Sequence, residues 1–206
     1  MLEWVVFIQK VFTIIVSFSL LGAGVRGYSI PTGSMLPTLH HGVYKLGLQI
    51  SPPDRIWVNC LAYTFFPPQR GDIVVFIFPD PNKQAPRRDM VKRIVGLPNE
   101  KIKIEDQMVY VNGLPLKENY ILEPMMNDYP EKIVPPGKYL VLGDNRNNAA
   151  DSRFWGFLPK ENIIGEATLI YKPEERSSFL FQIPESEESI FILRLLLKMI
   201  NFEEGF

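Results

Sequence analysis

From residue 27 to residue 172 no apolar pattern holds a helical period for longer than two turns, while short β-branched and aromatic runs recur between Pro, Gly and Asn. Such a chain buries its apolar residues by pairing strands, so the pattern predicts a mainly antiparallel β domain. Residues 73–78 (IVVFIF) are continuously apolar between Arg70-Gly71-Asp72 and Pro79-Asp80-Pro81, which predicts a strand covered on both faces. Residues 90–95, 101–106, 108–111, 138–142 and 167–171 are further strand candidates. Asn112-Gly113 predicts a hairpin turn, because both residue types tolerate positive φ.

The ends differ in kind. Residues 4–25 (WVVFIQKVFTIIVSFSLLGAGV) carry only Gln9 and Lys10 as strongly polar side chains. As a helix they would rise about 33 Å, enough for a hydrocarbon core of about 30 Å. The expectation is a retained membrane anchor over 1–26, with Lys10 reaching outward to the interface. A signal peptide cleaved near Gly22-Ala23-Gly24 and a buried soluble helix are the alternatives. Residues 173–206 form a third section: an acidic, Ser-rich linker followed by the apolar segment 189–200, too short to span. Arg194 and Lys198 share one helical face of that segment. It reads as a short amphipathic helix on the membrane surface, with packing on the domain or binding to a partner as alternatives.

Charge and cysteine usage exclude several classes. With 22 basic and 23 acidic residues, the chain has no basic surplus to neutralise phosphates, so no nucleic-acid partner is expected. Cys60 is the only cysteine, and His40 and His41 are adjacent. These leave neither an intrachain disulfide nor a Cys-based zinc site, and neighbouring side chains of an extended segment cannot face one metal. A structural zinc is not expected.

The chemistry sits between the two ends. Ser34 lies in Pro31-Thr32-Gly33-Ser34-Met35-Leu36-Pro37, a turn rich enough in Pro and Gly to expose a hydroxyl. A serine nucleophile needs a base in hydrogen-bond reach. Lys92 lies inside an apolar strand candidate, where desolvation lowers an amine's pKa towards a neutral, proton-accepting form.

Four blocks occur in order: PTGSMLPTL at 31–39, RGDIVVF at 70–76, KRIVGLP at 92–98 and GDNRNNAADSRFWG at 143–156. Together they resemble bacterial-type signal peptidase I, the membrane-anchored Ser/Lys proteases of family S26. The resemblance covers about residues 27–171, with a hydrophobic helix upstream belonging to the same pattern. It implies a β-sheet catalytic domain (27–172) on the outer side of a membrane, single-pass anchoring, membrane lipid and preprotein signal peptides as partners, and no cofactor. It makes Ser34 the nucleophile and Lys92 the general base. Thr32 and the Ser34 amide become the oxyanion hole, and Asp144, Arg146, Asp151 and Arg153 become supporting residues. A preprotein segment would lie as an added strand beside Ile30, Met90 and Val91.

Two positions depart from the family's best-known members. Met90 stands where a tyrosine helps orient the lysine, and Ala149 where a serine does so. These departures keep a catalytically impaired membrane-tethered scaffold in play, and the dyad chemistry, shared by another class, leaves a Ser/Lys self-cleaving regulator as a further reading, against which the anchor and the lack of a DNA-binding domain count. Arg70-Gly71-Asp72 is read as the start of a buried strand and not as an adhesion motif. Cys60 is read as a small buried hydrophobe.

Overall fold

The computed structural model describes residues 2–19, 24–80 and 86–181, and in the C-terminal section residues 183, 186, 188, 189, 191, 192 and 195. Helix α1 (Leu2–Ser19) is followed by strands β1 (Val25–Ser29), β2 (Val43–Lys45), β3 (Leu48–Ser51) and β4 (Arg55–Asn59). A short helix α2 (Ala62–Phe65) leads to β5 (Ile73–Ile77), β6 (Asp89–Gly96), β7 (Lys101–Glu105), β8 (Met108–Val111) and β9 (Leu114–Pro115). Then come β10 (Tyr129–Ile133), β11 (Lys138–Leu142), α3 (Ser152–Trp155), β12 (Leu158–Pro159), β13 (Ile163–Lys172) and β14 (Ser178–Phe179).

The main sheet runs β1-β4-β13-β5-β6-β11-β12, with β14 on β13. A second sheet runs β10-β7-β8-β9, and β2 and β3 pair alone. Every strand pairing is antiparallel, so the domain is mainly antiparallel β as the residue pattern predicts. The core follows from strand alternation. In β5, Ile73 and Val75 enter one cluster with Ile30, Met35, Ile56 and Val58, and Val74 and Phe76 enter another with Ile94, Tyr139 and Val141. That is the two-sided burial expected of residues 73–78. A third cluster, with Val95, Ile102, Ile104, Val109 and Leu140, joins the second sheet to the main one. Asn112 and Gly113 have φ of 52° and 82° between β8 and β9, the expected hairpin turn.

The N-terminal expectation needs correction. The helix is described over Leu2–Ser19 and Val25 is already in β1, where it pairs with Asn59. Val25-Arg26-Gly27-Tyr28-Ser29 has a free partner edge on β4, and cross-strand pairing outweighs the helical preference of the apolar run before it. Among the described residues no helix is long and apolar enough to cross a membrane. Lys10 does not reach outward: it is buried against Asp72 at 2.7 Å and against Glu166. Phe7 and Ile14 are buried with Phe179, Phe181 and Ile192, while Val5, Ile8, Phe12 and Ile15 face out. Gly22 and Ala23 and most of residues 189–200 lie outside the described residues. Of the latter, Phe191 is exposed and Ile192 packs on the α1 cluster.

Candidate active site

Strand β1 runs out through Ile30, Pro31 and Thr32 into one turn of 3-10 helix, Gly33–Met35, which carries Ser34. Burial of Met35 and Leu39 anchors this turn from below. Asn145 holds it from the side, donating its backbone N–H to the Ser34 carbonyl at 3.2 Å and its side-chain amide to the Gly33 carbonyl at 3.0 Å. Glycine is required at 143, since a Cβ there would lie 2.5 Å from the Ser34 carbonyl oxygen.

Lys92 comes from β6 and is 3% exposed. Its Nζ lies 2.8 Å from Ser34 Oγ and 2.7 Å from the Val91 carbonyl oxygen. Burial lowers its pKa to about 8, against the opposing pull of Asp151 and Asp144. A neutral amine can donate to the Val91 carbonyl and still offer its lone pair to the Ser34 hydroxyl. The backbone thus takes the orienting hydrogen bond for which Met90 and Ala149 supply no hydroxyl. Thr32 Oγ1 stands 3.4 Å from Ser34 Oγ, on the same side of the turn.

The charged loop packs behind the pair. Asp144 accepts from Arg93 at 2.9 and 2.6 Å and from Thr38 at 2.6 Å. Arg146 donates to Glu118 at 2.8 and 2.6 Å and to the Gly143 carbonyl at 3.0 Å. Asp151 binds Arg153 through both carboxylate oxygens and accepts the Gly143 N–H at 3.1 Å. Asp144 and Arg146 do not pair with each other: both are buried, and each pairs with a different, distant residue. Sequence reasoning missed Arg93, Glu118, Thr38 and Asn145. For Arg93 the signal was present, a second cation in an apolar strand that needs a buried acid.

A groove of about 410 Å³ leads to Ser34 and Lys92, walled by Tyr28 to Thr32 on one side and Arg88 to Val91 on the other, with Ile56 and Val75 among its lining. Ile30, Met90 and Val91 all line it. Strand β1 pairs only with β4, and β6 meets β11 only from Arg93 onward. Both walls therefore keep an unpaired backbone edge among the described residues. The Tyr28 hydroxyl donates to Asp89 at 3.2 Å and ties the walls together. Elsewhere, Asp72 of the RGD tripeptide is buried, and Arg70 donates to Glu100 and the Val95 carbonyl. Cys60 is half-buried, with burial pushing its thiol pKa up. Among the described residues no cluster of His, Cys, Asp and Glu could hold a metal.

A serine hydroxyl 2.8 Å from a desolvated lysine, beside a groove edged by free strands, is the arrangement that a Ser/Lys hydrolase acting on extended peptides would need. The family model "Signal peptidase, peptidase S26" matches residues 1–172, and the chain belongs to that family. It is 43% identical over 151 residues to "Probable signal peptidase I-1" of Synechocystis, covering 71% of each chain. It is 31% identical over 207 residues to "Signal peptidase IB" of Staphylococcus aureus, covering 92% of this chain and 98% of that one. A crystal structure of a signal peptidase I from Enterococcus faecalis is 34% identical, with a TM-score of 0.43, over 49% of this chain and 97% of the other.

Proposed function

We infer that the protein is a serine endopeptidase that removes signal peptides from preproteins, with Ser34 as nucleophile and Lys92 as general base. The observation that carries this is the 2.8 Å contact between Ser34 Oγ and a lysine whose pKa burial brings to about 8. Lys92 takes the Ser34 proton as Oγ attacks the scissile carbonyl. The Ser34 N–H and the Thr32 hydroxyl receive the developing oxyanion. Lys92 then protonates the leaving amine, and water, activated by the same lysine, releases the acyl group. Asp144, Arg146, Asp151 and Arg153 hold the loop that backs Ser34 and do not react.

The substrate lies as a strand between the two free edges, so alternate side chains face the enzyme. Ile30, Met90 and Val91 leave room for small residues at the first and third positions before the cut. The membership supports an enzyme held at a membrane, with the N-terminal section that carries helix α1 as anchor, the β domain on the outer side, and lipid as a partner. The scaffold reading is not favoured, because the Val91 carbonyl supplies the bond that Met90 and Ala149 cannot. The self-cleaving regulator is not favoured either, given the family match. The test is cleavage of a signal-peptide substrate by the full chain. Ser34→Ala should abolish cutting with the fold intact, and Leu or Phe at the first position should block it. Cutting by Ser34→Ala would overturn the assignment.

A further inference from the structure

The β2–β3 hairpin stands apart from both larger sheets. Among the described residues it pairs with no other strand, and its exposed surface is apolar: Tyr44, Leu46, Leu48 and Ile50 are 64%, 96%, 70% and 62% exposed. Val43 is exposed as well. A lone two-stranded hairpin is marginal in water and gains nothing from leucines at its turn. Yet the turn is well formed, with Leu46 and Gly47 at φ of 52° and 79°, and its base is braced. Asp54 accepts from the His40 N–H at 2.8 Å and binds Arg176 at 2.8 and 2.9 Å, and its own N–H meets the His40 carbonyl at 2.9 Å. The Asp54 carbonyl in turn accepts from Ile30, in the groove wall, at 3.0 Å. The hairpin therefore projects from the wall of the groove on a base tied by hydrogen bonds to that wall.

Its charge says what covers it. Residues 40–53 contain no Asp or Glu, and Lys45 stands beside the apolar tip. Leu46 and Leu48 lie at the turn with Lys45 paired to Leu48 beside them, and Tyr44 and Ile50 follow one step back, a mixture of leucine, isoleucine, tyrosine and lysine that suits the boundary between acyl chains and anionic headgroups. We propose that the β2–β3 hairpin inserts its tip into the interfacial layer of an anionic lipid bilayer, and so sets the groove at the height where a substrate leaves the hydrocarbon. The second part rests on the peptidase reading above; the first does not.

The experiment uses the full chain with Cys60→Ser and an environment-sensitive fluorophore attached through Leu46→Cys or, as control, Gln107→Cys in the β7–β8 turn. Phosphatidylcholine vesicles, with and without phosphatidylglycerol, should blue-shift the label at 46, and acyl-chain nitroxides should quench it. The response should be stronger with phosphatidylglycerol, and the label at 107 should not respond. A label at 46 that stays in water overturns the proposal. So does one whose shift grows with protein concentration without vesicles, since a second copy would then cover the tip. In the unlabelled chain, Leu46→Asp with Leu48→Asp should slow processing of a membrane-inserted preprotein about tenfold or more, leaving cleavage of a short soluble peptide unchanged. Equal preprotein processing would overturn the orienting role. If the unaltered chain cuts neither substrate, the peptidase reading fails while the fluorescence still decides the insertion.

Discussion

At Lys92 two opposed effects meet, burial favouring the neutral amine and Asp151 and Asp144 favouring the ammonium, and burial wins. The catalytic consequence is a kcat/KM that rises with pH through about 8 and then levels, read from initial rates on a soluble peptide. Lys92→Ala and Lys92→Arg should both be inactive, since guanidinium does not deprotonate. A profile flat from pH 6 to 10 with chemistry rate-limiting would count against a lysine base. The same shift carries a stability cost. The unfolded chain holds the Lys92 proton up to about pH 10.5 while the folded chain releases it near 8, so between those values the unfolded state binds more protons and stability rises with pH. Lys92→Met should therefore stabilise the fold at pH 7, by up to about 3 kcal/mol, and the advantage should shrink from pH 8 to 10.5 in denaturant titrations. That Ser34 and Lys92 would meet was legible only through the resemblance carried by the four blocks, since a Gly-Ser turn or a strand lysine taken alone is more often structural. What orients Lys92 was not, because the acceptor is the Val91 backbone carbonyl, present at every residue and singled out only by the fold.

Among elements, β5 was legible because a continuous apolar run between turn residues has one stable placement, and β8 and β11 because their bounds coincide with their apolar stretches. Strand β4 was hidden. Ile56 and Val58 alternate into the core, but the apolar residues that follow blur the period of two. Strand β1 was hidden behind the apolar run before it, and β2–β3 has no buried face to leave a pattern. The charged loop shows the same limit, since its residues were visible and their partners were not: Asp144 to Arg93 spans 51 positions and Arg146 to Glu118 spans 28. Its energetics follow from burial. Asp144→Ala leaves Arg93 buried without its carboxylate, which should cost about 3–5 kcal/mol and lower kcat/KM by loosening the wall behind Ser34. Glu105→Ala breaks the exposed Lys103 pair and should cost under about 1 kcal/mol. Thermal unfolding of both variants checks the contrast, and equal losses would mean that the Asp144 pair is not buried in solution.

For the whole molecule, the question is what holds α1 to the β domain. Its buried face is mixed: Phe7 and Ile14 pack with Phe179 and Phe181, while Lys10 meets Asp72 and Glu166 and Ser17 meets Asn59 at 2.5 Å. Its outer stripe, Val5, Ile8, Phe12 and Ile15, is apolar. From sequence Lys10 looks like an interfacial lysine, because Glu166 is 156 positions away. Asp72 keeps other donors without Lys10, from the Tyr63 hydroxyl at 3.0 Å and the Gln69 N–H at 2.8 Å. Among the described residues Glu166 has no other side-chain donor, and burial and Asp72 already push its pKa up to about 7 despite Lys10. A carboxyl whose folded pKa lies above its unfolded value favours the folded state at low pH and loses that advantage as pH rises. Removing Lys10 raises the Glu166 pKa further, so the penalty grows with pH. Lys10→Ala in the full chain should lower Tm modestly at pH 5.5, where Glu166 takes a proton, and by clearly more at pH 8, where its charge would be buried unpaired. Adding Glu166→Gln should restore much of the loss at pH 8 and flatten the pH dependence. An equal Tm loss at both pH values, or no rescue by Glu166→Gln, would show that α1 is held by Phe7 and Ile14 alone and that Lys10 faces water or lipid.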